Sequence, residues 1–352
     1  MRIESLRASM EKSDLDAYIV SNETNIYYYT GTISGGVLVL SHESEPVLLV
    51  PRLNLAIAQA QALGCEITPY TLRDLFDKVV EKLAAPESVG FDAVTLDFYL
   101  KLQERFDDIK LCASPDLVWN MRRVKDSSEQ KLMTKAGELA DVGMEAIRNH
   151  LEIGMREHEI AAEACYAMMR GGAEGIAFDF IVASGPRSAY PHAGVTDRGI
   201  RKGDFVKVDM GATYKGYRSD LTRTFIVGEP SEKQAEMYDA VLRANEEALP
   251  EIRDGAKGSD VDKVARGVIE EAGYGEYFVH ALGHGVGLEV HEPPSLSETS
   301  GDILKTGNVV TDEPGIYIPG FGGVRIEDTV LITASGPATL TRFDKDLDSM
   351  RV

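Results

Sequence analysis

The sequence predicts a two-domain protein of mixed α/β (α+β) class, on three observations. Its 352 residues are 43% hydrophobic, enough for more than one core at roughly 100–200 residues per domain. Residues 1–122 alternate short apolar strand patterns with helical ones, as an α/β domain does. Residues 123–352 contain an internal repeat, so the second domain is expected to consist of two similar halves related by a pseudo-twofold axis.

In the first domain, residues 3–10 read as an amphipathic helix. Residues 16–20, 36–40 and 46–50 read as strands, the last two joined by a polar turn. Helical patterns follow at 53–63, 72–84 and 96–106, with strand candidates between them. Tyr27, Tyr28 and Tyr29 read as packing residues on a strand, with a binding surface as the alternative. No Gly-rich phosphate loop and no paired catalytic signature occurs here. The polar stretch 122–128 leads into a long helix beginning near Glu129, which Ser127 or Ser128 can cap. The boundary is placed there, giving domains 1–122 and 123–352.

Each copy of the repeat opens with a long helix, at 129–151 and 232–252, followed by a glycine turn at Gly154 and Gly258. A second helix matches Ile160-Ala161 to Val264-Ala265, and a strand matches Gly203-Asp204-Phe205-Val206 to Gly307-Asn308-Val309-Val310. Both matches lie at a shift of 104 residues, which also carries Asp209 onto Glu313 (313 − 209 = 104). Asp220 falls on Glu327 at a slightly larger shift (327 − 220 = 107). His284 falls on Phe180 at the first shift (284 − 104 = 180) and has no histidine counterpart.

The first acidic pair sits on a legible hairpin, 205–214 and 217–227 around the two-residue turn Lys215-Gly216. That register pairs 209 with 222 and makes Asp220 the diagonal neighbour of Asp209, about 7–8 Å away on one face. Two like charges there repel unless a cation lies between them. The second hairpin turns at Pro319-Gly320-Phe321. A loop of odd length sets Glu313 opposite Glu327, and one of even length puts them on opposite faces. Pro314-Gly315 breaks the strand just after Glu313. Residues 280–292 place three of the seven histidines in a Gly-rich stretch, and glycines allow close backbone approach. His284, flanked by glycines, reads as a ligand, and His192 reads as reaching the same site. His42, His150 and His158 read as structural.

Four carboxylates (Asp209, Asp220, Glu313, Glu327) and one imidazole (His284) can hold two divalent ions, four negative charges balancing four positive. Such ion pairs sit about 3.5–4 Å apart and activate a water. Oxygen-rich ligation with one nitrogen and no thiolate favours manganese, cobalt, iron or zinc. Other classes are disfavoured. The net charge of −20 comes with no clustered Lys/Arg stripe, which argues against a nucleic-acid partner. No apolar run approaches the roughly 18 residues of a membrane span, and the N-terminus carries charges where a signal peptide needs an apolar stretch. The expectation is a soluble, cytoplasmic protein without a membrane partner. Cys65, Cys112 and Cys165 suit neither a disulfide framework nor a zinc knuckle and are expected as buried free thiols.

These motifs together resemble the pita-bread metallopeptidases, the group of methionine aminopeptidase, aminopeptidase P and prolidase. The resemblance rests on Asp-x10-Asp at 209–220, Gly-His-Gly-Val-Gly at 283–287, Glu-Pro-Gly-Ile-Tyr at 313–317 and Gly-Gly-Val-Arg-Ile-Glu-Asp at 322–328. Residues 1–122 resemble the N-terminal domain of creatinase, aminopeptidase P and prolidase, which favours the Xaa-Pro branch. The resemblance implies a metal site of Asp209, Asp220, His284, Glu313 and Glu327, with Asp220 and Glu327 bridging. It implies Glu313 as general base and then acid, and His192, His291 and Arg325 as substrate contacts. It also implies proline-containing di- or short peptides as substrates, and a homodimer. A metal-dependent aminopeptidase without proline preference, creatinase, and a non-catalytic binding protein of this fold remain as alternatives. Three positions depart from the pattern: Ala281; Asp312, expected to raise the pKa of Glu313 or alter metal affinity; and Ser295, in a stretch lacking the arginine some prolidases carry after His291.

Overall fold

A computed structural model describes residues 2–42, 44–83, 85–106 and 109–352. The chain divides into two compact units, Met1–Arg122 and Arg123–Val352. Among the described residues no helix is long and apolar enough to cross a membrane.

The first unit is built on a six-stranded mixed sheet in the order Glu66–Tyr70, Val47–Pro51, Val37–Ser41, Ala17–Val20, Ser88–Phe91, Lys110–Ala113. Its central strands are continuous apolar runs because both faces are covered. The helical patterns appear as Arg2–Lys12, Leu55–Gln61 after a short 3-10 turn, Leu75–Leu83 and Leu96–Arg105; Ala84, the last residue of the expected 72–84 helix, lies outside the described residues. The three tyrosines correct the sequence reading. They lie on the helix Glu23–Thr30, not on a strand. Asn22 caps it by accepting from Asn25 N at 3.1 Å, and Gly31 closes it at φ 75°. The two caps outweigh the strand preference of adjacent aromatics. Their packing role holds: Tyr28 and Tyr29 are buried with ring centroids 5.2 Å apart. The three cysteines are free but only half-buried.

The second unit starts with the helix Ser127–His150. Asp126 is its cap, in place of either serine, accepting from Ser128 N and Glu129 N while the Glu129 carboxylate accepts from Asp126 N. This capping box uses two side chains reciprocally. The duplication is visible in the backbone. Helices Ser127–His150 and Glu157–Gly171 precede a three-stranded sheet ordered Leu221–Ile226, Phe205–Met210, Ile181–Ser184. Helices Glu232–Ala248 and Gly258–Glu271 precede a five-stranded sheet with Gly283–Gly285, Val309–Asp312 and Asp328–Thr333 at its centre.

Backbone pairing refines the repeat register. Isolated bridges join Arg156 to Gly199 and Lys257 to Ile303, equivalences of 101 (257 − 156) and 104 (303 − 199). The shift is therefore 101 around the second helix, 104 on the first hairpin strand and 107 on the second. Three sequence alignments change as a result. Ile160-Ala161 falls on Val261-Asp262 instead of Val264-Ala265. The turn glycine matching Gly154 (φ 97°) is Gly255 (φ 80°), and Gly258 opens the following helix. The counterpart of His284 is Ala183 (284 − 101 = 183) instead of Phe180: Asp209 pairs with Ile181 in one half, and Glu313 N donates to Leu282 O in the other at 2.9 Å.

The halves are sewn together where their acids meet. Glu327 N donates to Thr222 O at 3.0 Å. The equivalent Thr329 accepts from Asp220 N at 3.0 Å and donates to Asp220 O at 2.7 Å. Arg223, 1% exposed, bonds Thr222 O and Glu327 O and pairs with Asp328 at 2.7 Å. One continuous apolar core from both halves lies behind this seam.

Candidate metal centre

The two hairpins bring the four acids to one place by different means. In the first, Tyr214 pairs with Tyr217 across Lys215 (φ 47°) and Gly216 (φ 77°), a turn that needs positive φ at both positions. The register continues to Leu221↔Met210 and Thr222↔Asp209, as the spacing predicts. Gly211 is required between them: a Cβ there would sit 1.9 Å from Ser219 O. In the second hairpin, Ile318 pairs with Gly322 around the three-residue turn 319–321. The loop is odd, so the same register sets Glu313 opposite Glu327, between Asp312↔Asp328 and Gly315↔Arg325. Pro314 interrupts the ladder at that point. Glu313 and Glu327 turn their backbone N–H groups to Leu282 and Thr222 instead.

His284 joins from the strand Gly283–Gly285. A Cβ on Gly283 would lie 2.1 Å from Thr311 O, and one on Gly285 2.4 Å from Pro293 O, so only glycine permits this close packing. Its Nδ1 faces Gly285 O at 3.1 Å, which assigns the proton to Nδ1. Nε2 then faces the acids, 3.2 Å from Glu313 Oε1 and 3.9 Å from Asp220 Oδ2. Thr311 Oγ1 ties the arrangement together, accepting from His284 N and donating to Glu313 Oε1, both at 3.0 Å. Thr222 Oγ1 donates to Glu327 Oε2 at 2.6 Å.

The electrostatics describe a site built for cations. Burial, then Glu327, Asp209 and Glu313, push the Asp220 carboxyl well above its usual range. Burial, then Glu313 and Asp209, do the same to Glu327. Asp209 Oδ1 and Asp220 Oδ1 are buried without a hydrogen-bond partner, which is costly for a polar atom. Asp220, His284 and Glu327 present donor atoms all within 4.8 Å of one another. Oxygen donors left unpaired, mutually repelling and joined by one imidazole nitrogen fit divalent cations. Burial raises Glu313, but the hydrogen bond and charge of His284, then His280 and Arg325, bring it down to about 2. The net shift of Glu313 is thus downward, set by His284, His280 and Arg325, with Asp312 not among its largest causes. Asp312 itself is fully buried, neither carboxylate oxygen has a partner, and burial pushes its carboxyl well up.

A cavity of about 610 Å³ opens over these groups, lined by His192, His280, His291, Arg218 and Arg325 among others. That volume suits a small ligand. His192 and His291 are exposed, and the His291 ring lies 4.3 Å from that of His284. Burial, then the charge of His284, lowers the His291 pKa. Arg325 lines the cavity, but its guanidinium is already bonded to protein. It pairs with Asp209 and donates to Tyr317 Oη at 3.0 Å, Thr222 Oγ1 at 3.1 Å and Pro191 O at 3.3 Å. Burial opposes its charge, while Tyr317, Asp209, Glu313 and Glu327 hold the proton on, with a net upward shift.

Sequence reasoning left several residues unassigned. Lys207 is fully buried, two positions before Asp209 on the same strand face. Its Nζ donates to Tyr190 O at 2.7 Å and Pro191 O at 3.1 Å, and lies 4.9 Å from the centre of the Tyr317 ring. It thus anchors the segment carrying His192. His280 Nε2 meets Tyr317 Oη at 2.8 Å. Glu157, also fully buried, accepts from Ser184 N and Oγ and Thr196 N and Oγ1 and pairs with Arg187, fixing both ends of the His192 loop. Strand alternation around Asp209 and Asp220 marks Lys207 and Arg218 as facing the site; nothing in the sequence marks Glu157. His42, His150 and His158 make local contacts to Leu15 O, Ala146 O and Asp197.

Comparison with known proteins identifies the family. Residues 131–334 match metallopeptidase family M24, and residues 2–124 match the creatinase/prolidase N-terminal domain. The chain is 40% identical over 350 residues to an Xaa-Pro dipeptidase of Pyrococcus furiosus, covering 98% of this chain and 99% of the relative. It is 34% identical over 370 residues to one of Lactobacillus delbrueckii, covering all of both. A prolidase from Pyrococcus horikoshii superposes with a TM-score of 0.94 at 39% identity, over 98% of this chain and 99% of that one. An X-Pro aminopeptidase from Thermotoga maritima superposes with a TM-score of 0.92 at 35% identity, over 99% of each. The chain belongs to metallopeptidase family M24, with a creatinase/prolidase N-terminal domain preceding the peptidase domain.

Proposed function

We propose that the protein is a dinuclear metal-dependent Xaa-Pro dipeptidase that hydrolyses the bond between an N-terminal residue and proline. The convergence of Asp209, Asp220, His284, Glu313 and Glu327 on one cavity carries this reading. The similarity to named Xaa-Pro dipeptidases supports the substrate class.

In this reading those five residues hold two divalent ions, with manganese, cobalt, zinc and iron as the candidates. When bound, such ions polarise a carbonyl and lower the pKa of water. The rest falls to the chain. Glu313, beside the ions, accepts the proton of the attacking water and passes it to the departing proline nitrogen. His192 and His291, on the rim, hydrogen-bond the substrate carbonyl as its oxygen gains negative charge. Arg325 serves through Asp209, holding that carboxylate's orientation, instead of touching substrate directly. Tyr317 and Lys207 brace Arg325 and the His192 segment.

The proposal extends to domains at 1–122 and 123–352, a cytoplasmic location and a homodimer, in line with the family resemblance. Its test compares an Xaa-Pro dipeptide with the Xaa-Pro-Xaa tripeptide under added manganese, cobalt or zinc. Faster turnover of the dipeptide is expected. Preference for the tripeptide would make the protein an X-Pro aminopeptidase, a reading favoured by the Thermotoga maritima likeness. Equal cleavage of peptides lacking proline would remove the proline preference.

A further inference from the structure

The cavity is lined by carboxylates and two arginines, Arg218 and Arg325. Arg325 is paired with Asp209. Arg218 is different. Its backbone is fixed by pairing with Thr213 and by donating from N to Gly287 O at 2.8 Å. Among the described residues its guanidinium makes one hydrogen bond, from Nη1 to Ala177 O at 2.6 Å. Its Nε is buried with no partner, and no carboxylate of the described residues lies within ion-pair distance. A partly buried guanidinium with spare donors is matched best by a planar, bidentate anion. With the four ligand carboxylates offset by two divalent ions, Arg218 would remain a cavity-lining cation without an ion-pair partner among the described residues, Glu289 being the other carboxylate of the lining.

We infer that Arg218 binds a carboxylate of the substrate and thereby sets specificity. The inference rests on the Xaa-Pro peptidase reading and names what that site selects. A peptide offers this group in two places, at the C-terminus of a dipeptide or on an acidic first residue. The Arg218 site would also answer the loss of the arginine expected after His291, where this chain has Glu292-Pro293-Pro294-Ser295.

The test measures kcat/KM of the metal-loaded wild type, Arg218→Gln and Arg218→Lys on two matched pairs. One pair is Ala-Pro and its C-terminal amide; the other is Glu-Pro-amide and Gln-Pro-amide. Arg218→Gln is expected to cut the rate on the carboxylate member of one pair by about 10- to 100-fold relative to its uncharged partner. Arg218→Lys, which keeps the charge, restores part of that ratio. A change confined to the first pair assigns the C-terminal carboxylate, and one confined to the second assigns the first side chain. If both ratios in Arg218→Gln stay within about twofold of wild type, beyond which sites that do not interact are not expected to differ, the inference is wrong. A wild type that cleaves none of the four overturns the peptidase reading instead, so the two failures are distinct.

Discussion

Asp312 offers the sharpest stability prediction. Its side chain is fully buried, neither oxygen has a partner, and burial, then Asp328, raises its pKa well above 3.8 while Lys345 lowers it. Folding must therefore either bury a charge or take up a proton. Proton uptake costs about 1.4 kcal/mol for each pH unit above the unfolded value. At pH 7 that bounds the cost at about 4 kcal/mol. Asp312→Asn keeps the shape and the bond from Asn245 Nδ2 to the Asp312 carbonyl, and removes the titration. It should stabilise the protein by about 2–4 kcal/mol at pH 7, or about 2–4 °C in Tm per kcal/mol for a unit of this size. The sign follows from linkage. A carboxyl with a raised folded pKa contributes stability that is fully present below the unfolded value of 3.8 and is lost as pH rises toward the folded one. The gain from Asn should thus shrink as pH falls toward 4. Thermal and urea unfolding of chelator-treated protein at pH 7 and pH 4 measures both. A variant no more stable than wild type at pH 7, or a gain independent of pH, would refute the reasoning.

Three further outcomes are expected. Glu313→Gln keeps most of the fold but loses about 10²- to 10⁴-fold in turnover; steady-state rates alongside circular dichroism check this, and near-normal turnover excludes the proton-transfer role. Lys207→Met lowers kcat/KM about tenfold or more by loosening the His192 segment, and the loss should be largely absent in a His192→Ala background, whereas additive losses in the double variant would separate the two residues. Arg325→Met frees Asp209 and weakens metal binding about 10- to 100-fold; calorimetric titration with manganese reads this directly, and unchanged affinity denies Arg325 that role.

Where local chemistry decides, the sequence was readable. Lys215-Gly216 dictates a two-residue turn, and that turn alone fixes Thr222 opposite Asp209. The odd loop at 319–321 does the same for Glu313 and Glu327, once its length is known. What escaped depended on contacts distant in the chain. Tyr27–Tyr29 look like a strand until Asn22 and Gly31 are seen to cap a helix. The repeat was read at shifts of 104 and 107, yet around the second helix and the following strand the shift is 101, so His284 was matched to Phe180 when the backbone matches it to Ala183. The resemblance implies Arg325 as a substrate contact; the fold adds that it pairs with Asp209, 116 residues away, while lining the cavity. Glu157 carries no local signal, since its partners at 184, 187 and 196 meet it through tertiary packing.

The central claim is that five side chains gathered by two hairpins and one Gly-rich strand hold a pair of catalytic divalent ions. Stripping the protein with chelator and returning manganese stepwise, while following Ala-Pro hydrolysis, tests it most directly. No hydrolysis is expected in the stripped protein, followed by a rise that saturates near two equivalents per chain. Hydrolysis undiminished by chelator, or none on addition of manganese, cobalt or zinc, would contradict it.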